Sequence, residues 1–120
     1  MKLSPHFHRE EFKCQGPECE ETNDTPVVDY KLIEVLEDIR TYFNKSILVT
    51  SGYRCPIHNE NVGGRPNSRH LLGRAADIIV RSRSPQEVVD YIESKYPDTL
   101  GVGLYGTFTH IDSREKRGRW

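Results

Sequence analysis

One stretch of the chain carries a clear helical period. Leu32, Leu36, Ile39 and Phe43 recur every three or four residues, and Ile33 and Val35 widen the stripe. Glu34, Glu37, Asp38 and Arg40 take most of the opposite side, and Asp29 stands where an N-cap is expected. Asn44-Lys45 breaks the pattern. The period then shortens: Ile47 to Thr50 and Ala75 to Val80 are short apolar runs with β-branched residues, which read as buried strands. Gly101 to Tyr105 and Phe108 to Asp112 read as two more, joined by a hairpin turn at Gly106-Thr107. Between them, Ser84-Pro85-Gln86-Glu87 forms a capping box with proline at the first helical position. It opens a helix carrying Val88, Val89 and Ile92 that stops before Pro97.

The remaining segments are less regular. Phe7 and Phe12 anchor a turn of helix within His6 to Lys13, and Cys14 to Thr25 reads as a loop. Ser51-Gly52-Tyr53-Arg54 is a sharp turn that presents Arg54 at a strand end, and Pro56 to Val62 is a helical turn. Residues 63–68 are loop by composition, and Ser113 to Trp120 is a basic tail. Helices and strands mix without a regular βαβ alternation. That predicts an α+β fold, with a small, mostly antiparallel sheet packed against helices in one domain over residues 1–120.

Composition narrows the function. The chain has 120 residues, a net charge of −1, 35% hydrophobic and 29% charged residues. Mixed charges without a basic excess argue against nucleic acid as a partner. No apolar run reaches membrane-spanning length, and the N-terminus lacks an export signal, so a cytoplasmic, monomeric product is expected. Reaching an outside substrate would then require lysis or carriage in a virion. The three cysteines, Cys14, Cys19 and Cys55, allow at most one internal disulfide, and the pairing is open. His6, His8, Cys14 and Cys19 form a second conceivable zinc set, with a spacing unlike familiar zinc fingers.

Two segments carry the candidate chemistry. His70 lies in a loop seven residues before Asp77, which sits among apolar strand residues. A carboxylate there is costly to bury unless it is paired or bound to a metal. His110 and Asp112 alternate on a strand, so both face one side together with Phe108, while Thr109 and Ile111 face the other. Two imidazoles and a carboxylate are a common catalytic zinc set, with one position left for water.

The arrangement Ser68-x-His70-x-x-Gly73-x-Ala75-x-Asp77, followed by His110-x-Asp112, resembles the zinc D-Ala-D-Ala carboxypeptidase family, peptidase family M15. The resemblance extends to Ser51-Gly52-Tyr53-Arg54, Asn59, Val62-Gly63-Gly64, Asn67, Gly101 to Tyr105, and the N-terminal Ser4, Phe7, Glu11 and Phe12. It covers nearly the whole chain and is strongest with short phage and bacterial members. It implies the fold shared with the hedgehog signalling domain, and one Zn2+ per chain held by His70, Asp77 and His110. It also implies hydrolysis of an amide bond in peptidoglycan peptides, with Arg54 binding the substrate carbonyl and Ser68 touching substrate or supporting the metal loop.

One position departs from that pattern. Several branches of the family carry an acidic general base three residues before the second zinc histidine, where this chain has Thr107. Asp112 is the leading substitute as catalytic base, with a role in orienting a ligand as the alternative. Glu11, Glu60 and His58 are weaker candidates. The missing acid also keeps open an inactive zinc-binding module, either for wall recognition or as a virion component.

Overall fold

A computed structural model describes residues 2–14, 28–65 and 67–120. After a 3-10 turn at Arg9–Phe12, the elements are α1 (Tyr30–Phe43), β1 (Ile47–Ser51), α2 (Pro56–Asn61), a second 3-10 turn at Arg69–Leu72, β2 (Ala75–Val80), α3 (Pro85–Lys95), β3 (Gly101–Leu104), β4 (Thr109–Asp112) and β5 (Gly118–Arg119). The helix and the four strands expected from the periodicity are all present. Asp29 holds the N-cap position of α1, but its side chain makes no capping bond among the described residues. The Ser84 box is complete: Ser84 Oγ accepts from Glu87 N–H at 3.1 Å, and the Glu87 carboxylate accepts from Ser84 N–H at 3.2 Å. Asn44 ends α1 in the left-handed conformation at φ 52°.

The strands form one sheet in the order β1-β2-β4-β3-β5. The first three pairings are antiparallel and β3 with β5 is parallel, so the sheet is mixed. The fifth strand comes from the segment expected to be a basic tail. Its arginines hold it in place. Arg117 and Arg119 both pair with Glu93 of α3, and Arg119 also donates to the carbonyls of Tyr96, Thr99 and Leu100. The positive charge of this tail is directed at carbonyl groups between the end of α3 and the start of β3.

Helices α1 and α3 contact the sheet and each other. Leu36, Ile39 and Ile92 meet Ile78, Val80, Val102 and Ile111 in a dry core that also takes Phe7 and Phe12. Asp38 ties the two helices at their rim, accepting from Tyr91 Oη at 2.6 Å and Tyr96 Oη at 2.7 Å. Strand alternation sends Ala76, Ile78 and Val80 into this core. It sends Ala75, Asp77 and Ile79 to the other face, where Leu48 of β1 is exposed.

The face assignment gives a paired test. Leu36→Ala should cost ~2–5 kcal/mol, the range for a buried leucine. Leu48→Ala should stay within about 0.5 kcal/mol, as for an exposed side chain. Urea unfolding of the two variants distinguishes them, and equal midpoints would reverse the assignment of faces.

Candidate metal centre

The site is built on the sheet face opposite the core. Asp77 of β2 lies directly across from His110 of β4, and His110 directly across from Gly103 of β3. The next row on the same face is Ala75, Asp112 and Gly101. Small neighbours in both rows leave room for the imidazole and the carboxylates. A register irregularity between Val49 and Ser51 bends β1 beside this row, setting Ser51 against Asp77.

His70 arrives from the second 3-10 turn. Ser68 caps that turn, its Oγ accepting from His70 N–H at 3.2 Å. Gly73 ends it at φ 67°, a left-handed conformation that glycine adopts without a Cβ penalty. The chain can then reverse into β2 within a few residues, which brings His70 and Asp77 together.

The result is a three-residue donor set. One ligand atom from each of His70, Asp77 and His110 lies within 4.8 Å of the others, and these residues are the one such group among the described residues. Asp77 Oδ1 lies 2.9 Å from His110 Nδ1 and 3.4 Å from His70 Nε2. A tetrahedral ion with ligands about 2.0–2.1 Å away spaces them roughly 3.3 Å apart. The remote ring nitrogens are also occupied. His70 Nδ1 donates to the Gly52 carbonyl at 2.6 Å, and His110 Nε2 faces Asp112 Oδ2 at 2.9 Å. With the far nitrogens keeping their protons on these acceptors, the inward nitrogens, His70 Nε2 and His110 Nδ1, would be the ones free to ligate a metal.

The surrounding residues fix the geometry. Arg54 donates to Ser51 Oγ at 3.2 Å and Asn59 Oδ1 at 3.4 Å, and its Nη2 lies 3.4 Å from Asp77 Oδ2. The Arg54 backbone N–H donates to the His70 carbonyl at 3.1 Å, tying the arginine turn to the histidine turn. Buried Asn59 also donates to the Arg65 carbonyl at 2.8 Å. A cleft of about 790 Å³ opens over the cluster, with Arg54, Ser68, Arg69, Tyr105, Phe108 and Trp120 in its walls.

Asp112 is fully buried. Its carboxylate accepts from Arg114 Nε and Nη2, both at 2.7 Å, and from the Arg114 backbone N–H at 3.2 Å. Glu11, Glu60 and His58 do not line the cleft, and neither does Thr107. Glu11 instead accepts from His8 N–H at 2.6 Å. His6 pairs with Glu37, and His6, His8 and Cys14 form no donor cluster among the described residues. Cys19 lies outside the described residues. Cys55 is disulfide-bonded, while Cys14 is a buried free thiol that accepts from Cys55 N–H at 3.3 Å.

Several contributors were missed in the sequence, Arg65 and Arg69 among them. Arg114, Tyr105 and Trp120 all line the cleft, and Trp120 Nε1 donates to Tyr105 Oη at 2.9 Å. The available signal was parity: residues 110, 112 and 114 alternate toward one face, opposite the glycines at 101 and 103.

Residues 5–112 match the family model described as Peptidase M15. The chain is 33% identical over 78 residues to the Zinc D-Ala-D-Ala carboxypeptidase of Streptomyces albus G, covering 64% of this chain and 31% of that protein. The chain thus spans about a third of the length of the curated relative it matches.

The site's charges set a pH dependence. Burial raises the Asp77 carboxyl pKa, but hydrogen bonds from His110 and His70 outweigh this and hold it at about 2, below its ordinary 3.8. Burial lowers the His110 pKa, but its bonds to Asp112 and Asp77 win and raise it above 6.5. The depressed carboxyl adds stability above its unfolded value and loses it as pH falls through 2. The raised imidazole adds stability below its unfolded value and loses it as pH rises through the folded value. In the metal-free protein this pair should therefore stabilise most between about pH 4 and 6.5. Metal requires neutral rings, so metal affinity should fall with acidity where that stability is greatest. Calorimetric zinc titrations near pH 6.5, in buffers of different ionisation enthalpy, should register proton release. No release would remove His110 from the ligand set.

Proposed function

We propose a function from one premise: the chain belongs to the peptidase M15 family. It is a zinc-dependent peptidase that hydrolyses an amide bond in peptidoglycan stem or cross-link peptides, of the D-Ala-D-Ala carboxypeptidase or endopeptidase kind. The observation that carries this reading is the inward-facing His70, Asp77 and His110 set at the floor of an open cleft. The name of the Streptomyces albus G relative supplies the metal and the substrate class.

Two imidazoles and one carboxylate suit zinc and leave a fourth position toward the cleft. When bound, zinc supplies acidity to water and Lewis-acid polarisation to a carbonyl. The protein's own groups do the rest. Arg54 stands beside Asp77 with a fixed guanidinium and is the catalytic donor to the charge that develops on the carbonyl oxygen. Ser68 holds the His70 turn and borders the substrate. Among the described lining residues, the guanidiniums of Arg54, Arg65, Arg69 and Arg114 outnumber the carboxylates of Asp77 and Asp112. A cleft of that charge, in a chain of net charge −1, favours peptides that carry carboxylates.

Asp112 has two roles open to it, proton acceptor and orienting partner of His110. Burial raises its pKa, but its bonds from His110 and Arg114 hold it well below the usual carboxylate range. A carboxylate so engaged is a poor base and a good acceptor for His110 Nε2–H, which supports the orienting role. The same observation favours a second reading, an inert zinc-binding module for wall recognition or a virion, because neither lining carboxylate is free to take a proton.

Digestion of purified peptidoglycan with the zinc-loaded chain, followed by mass spectrometry, should reveal new peptide termini. One zinc per chain without new termini would support the inert module, and absence of zinc would end both readings. Arg54→Ala should lower kcat about 10²–10³-fold, the cost of losing one oxyanion donor, while zinc stoichiometry stays at one. Unchanged kcat would remove Arg54 from the chemistry.

A further inference from the structure

We infer that Arg114 is a positioning residue of the metal centre, acting through Asp112 on the ring of His110 and seated in a notch that Gly101 keeps open. This rests on the reading of His70, Asp77 and His110 as the zinc ligands.

The geometry is a relay of fixed contacts. Arg114 grips Asp112 with two parallel bonds of 2.7 Å, one to each oxygen. A forked guanidinium fixes the plane of a carboxylate as well as its position. The oxygen that accepts from Arg114 Nη2 is Oδ2, and the same Oδ2 lies 2.9 Å from His110 Nε2. The arginine therefore sets one of the two carboxylate oxygens, Asp112 Oδ2 and Asp77 Oδ1, that compete for the proton of the His110 ring. With Nε2 protonated toward Asp112, Nδ1 is left facing Asp77 Oδ1 at 2.9 Å. In this scheme Asp112 and Arg114 act through a ligand and not on the reacting atoms.

The neighbouring strands are shaped around this pair. A Cβ placed on Gly101 would stand 2.3 and 2.4 Å from the Asp112 oxygens and 2.5 Å from Arg114 Nε. On Gly118 of β5 it would stand 2.8 Å from Arg114 Nη1. A Cβ on Gly101 would force the buried Asp112 carboxylate and the guanidinium to shift, whereas one on Gly118 would press only on the end of the Arg114 side chain. Trp120 closes the arrangement from the cleft side. Its ring lies 5.0 Å from the Arg114 guanidinium carbon and 5.1 Å from the His110 ring. The segment after β4 is thereby part of the metal site as well as of the sheet.

Four full-length variants test the inference: Arg114→Met, Arg114→Lys, Gly101→Ala and, as a control, Arg117→Met on the α3 side. Zinc affinity is read by competition with a chromophoric chelator. The fold is read by thermal melting of the metal-free protein, and the His110 tautomer by 15N NMR at a pH where the ring is neutral. Arg114→Met should weaken zinc binding about 10–100-fold, the usual loss when a ligand's orienting partner is removed, and shift His110 away from the Nε2–H form. Arg114→Lys keeps the charge without the fork, so it should recover the melting temperature but not the affinity. Gly101→Ala should weaken zinc binding with every charge in place, and Arg117→Met should not. Unchanged zinc affinity in folded Arg114→Met, or full recovery of affinity by lysine, would overturn the inference. A wild-type chain that binds no zinc would instead overturn the ligand assignment. The tautomer in metal-free protein reports on the positioning role in either case.

Discussion

The structure turns on a carboxylate taken out of water. Asp77 sits among Ala75, Ala76, Ile78 and Val80 on a central strand, where an uncompensated charge costs several kcal/mol. Its compensation comes from three directions: His110 across the strand pair, His70 from the turn above and Arg54 from the bend after β1. Each partner comes from a different element, so the packing of those elements is coupled to one side chain. A divalent cation satisfies the same carboxylate better than two histidines that must be partly protonated to do so. The elements that relieve the buried charge are also those that bring together a group able to hold a metal ion.

Strand register does much of the assembly. Antiparallel pairing puts Asp77 against His110 with no loop to adjust. Alternation then makes the opposite faces of β2 and β4 largely apolar, so the core of Ala76, Ile78, Val80 and Ile111 holds the sheet that carries the site. A one-residue slip would bury the ligands and expose the core. The hydrophobic face therefore specifies the metal face, although the two share no side chain.

This accounts for what the sequence could and could not convey. Helix α1, the capped α3 and the four strands are local patterns, visible as spacing. His110 and Asp112 share a face by alternation alone, and the family motif joined His70 to Asp77. The role of Arg114 is non-local: it requires knowing that residues 113–120 fold back to pair β5 with β3, and nothing in a run of basic residues says so. The glycines of β3 are similar. They suggest weak strand propensity until Asp112, Arg114, Tyr105 and Trp120 are seen to occupy the space they leave. Asp29 marks the opposite limit, a residue in the right place that makes no side-chain cap.

The two histidines are held by different kinds of partner, and the difference has consequences. His70 donates to a backbone carbonyl, Gly52 O, on a turn fixed by the Tyr53 N–H bond to the Phe12 carbonyl at 2.8 Å. No single side chain can be removed to free it. His110 donates to a side chain, Asp112, which depends in turn on Arg114 and on the space above Gly101. The first support is built from the fold, whereas the second is built from replaceable residues. The replaceable side chains that hold the His110 ring therefore lie on the β3, β4 and β5 side. The aromatic wall of the cleft, Tyr105, Phe108 and Trp120, lies on that same side, so the shape of the cleft and the support of the His110 ring are coupled through residues 105–120.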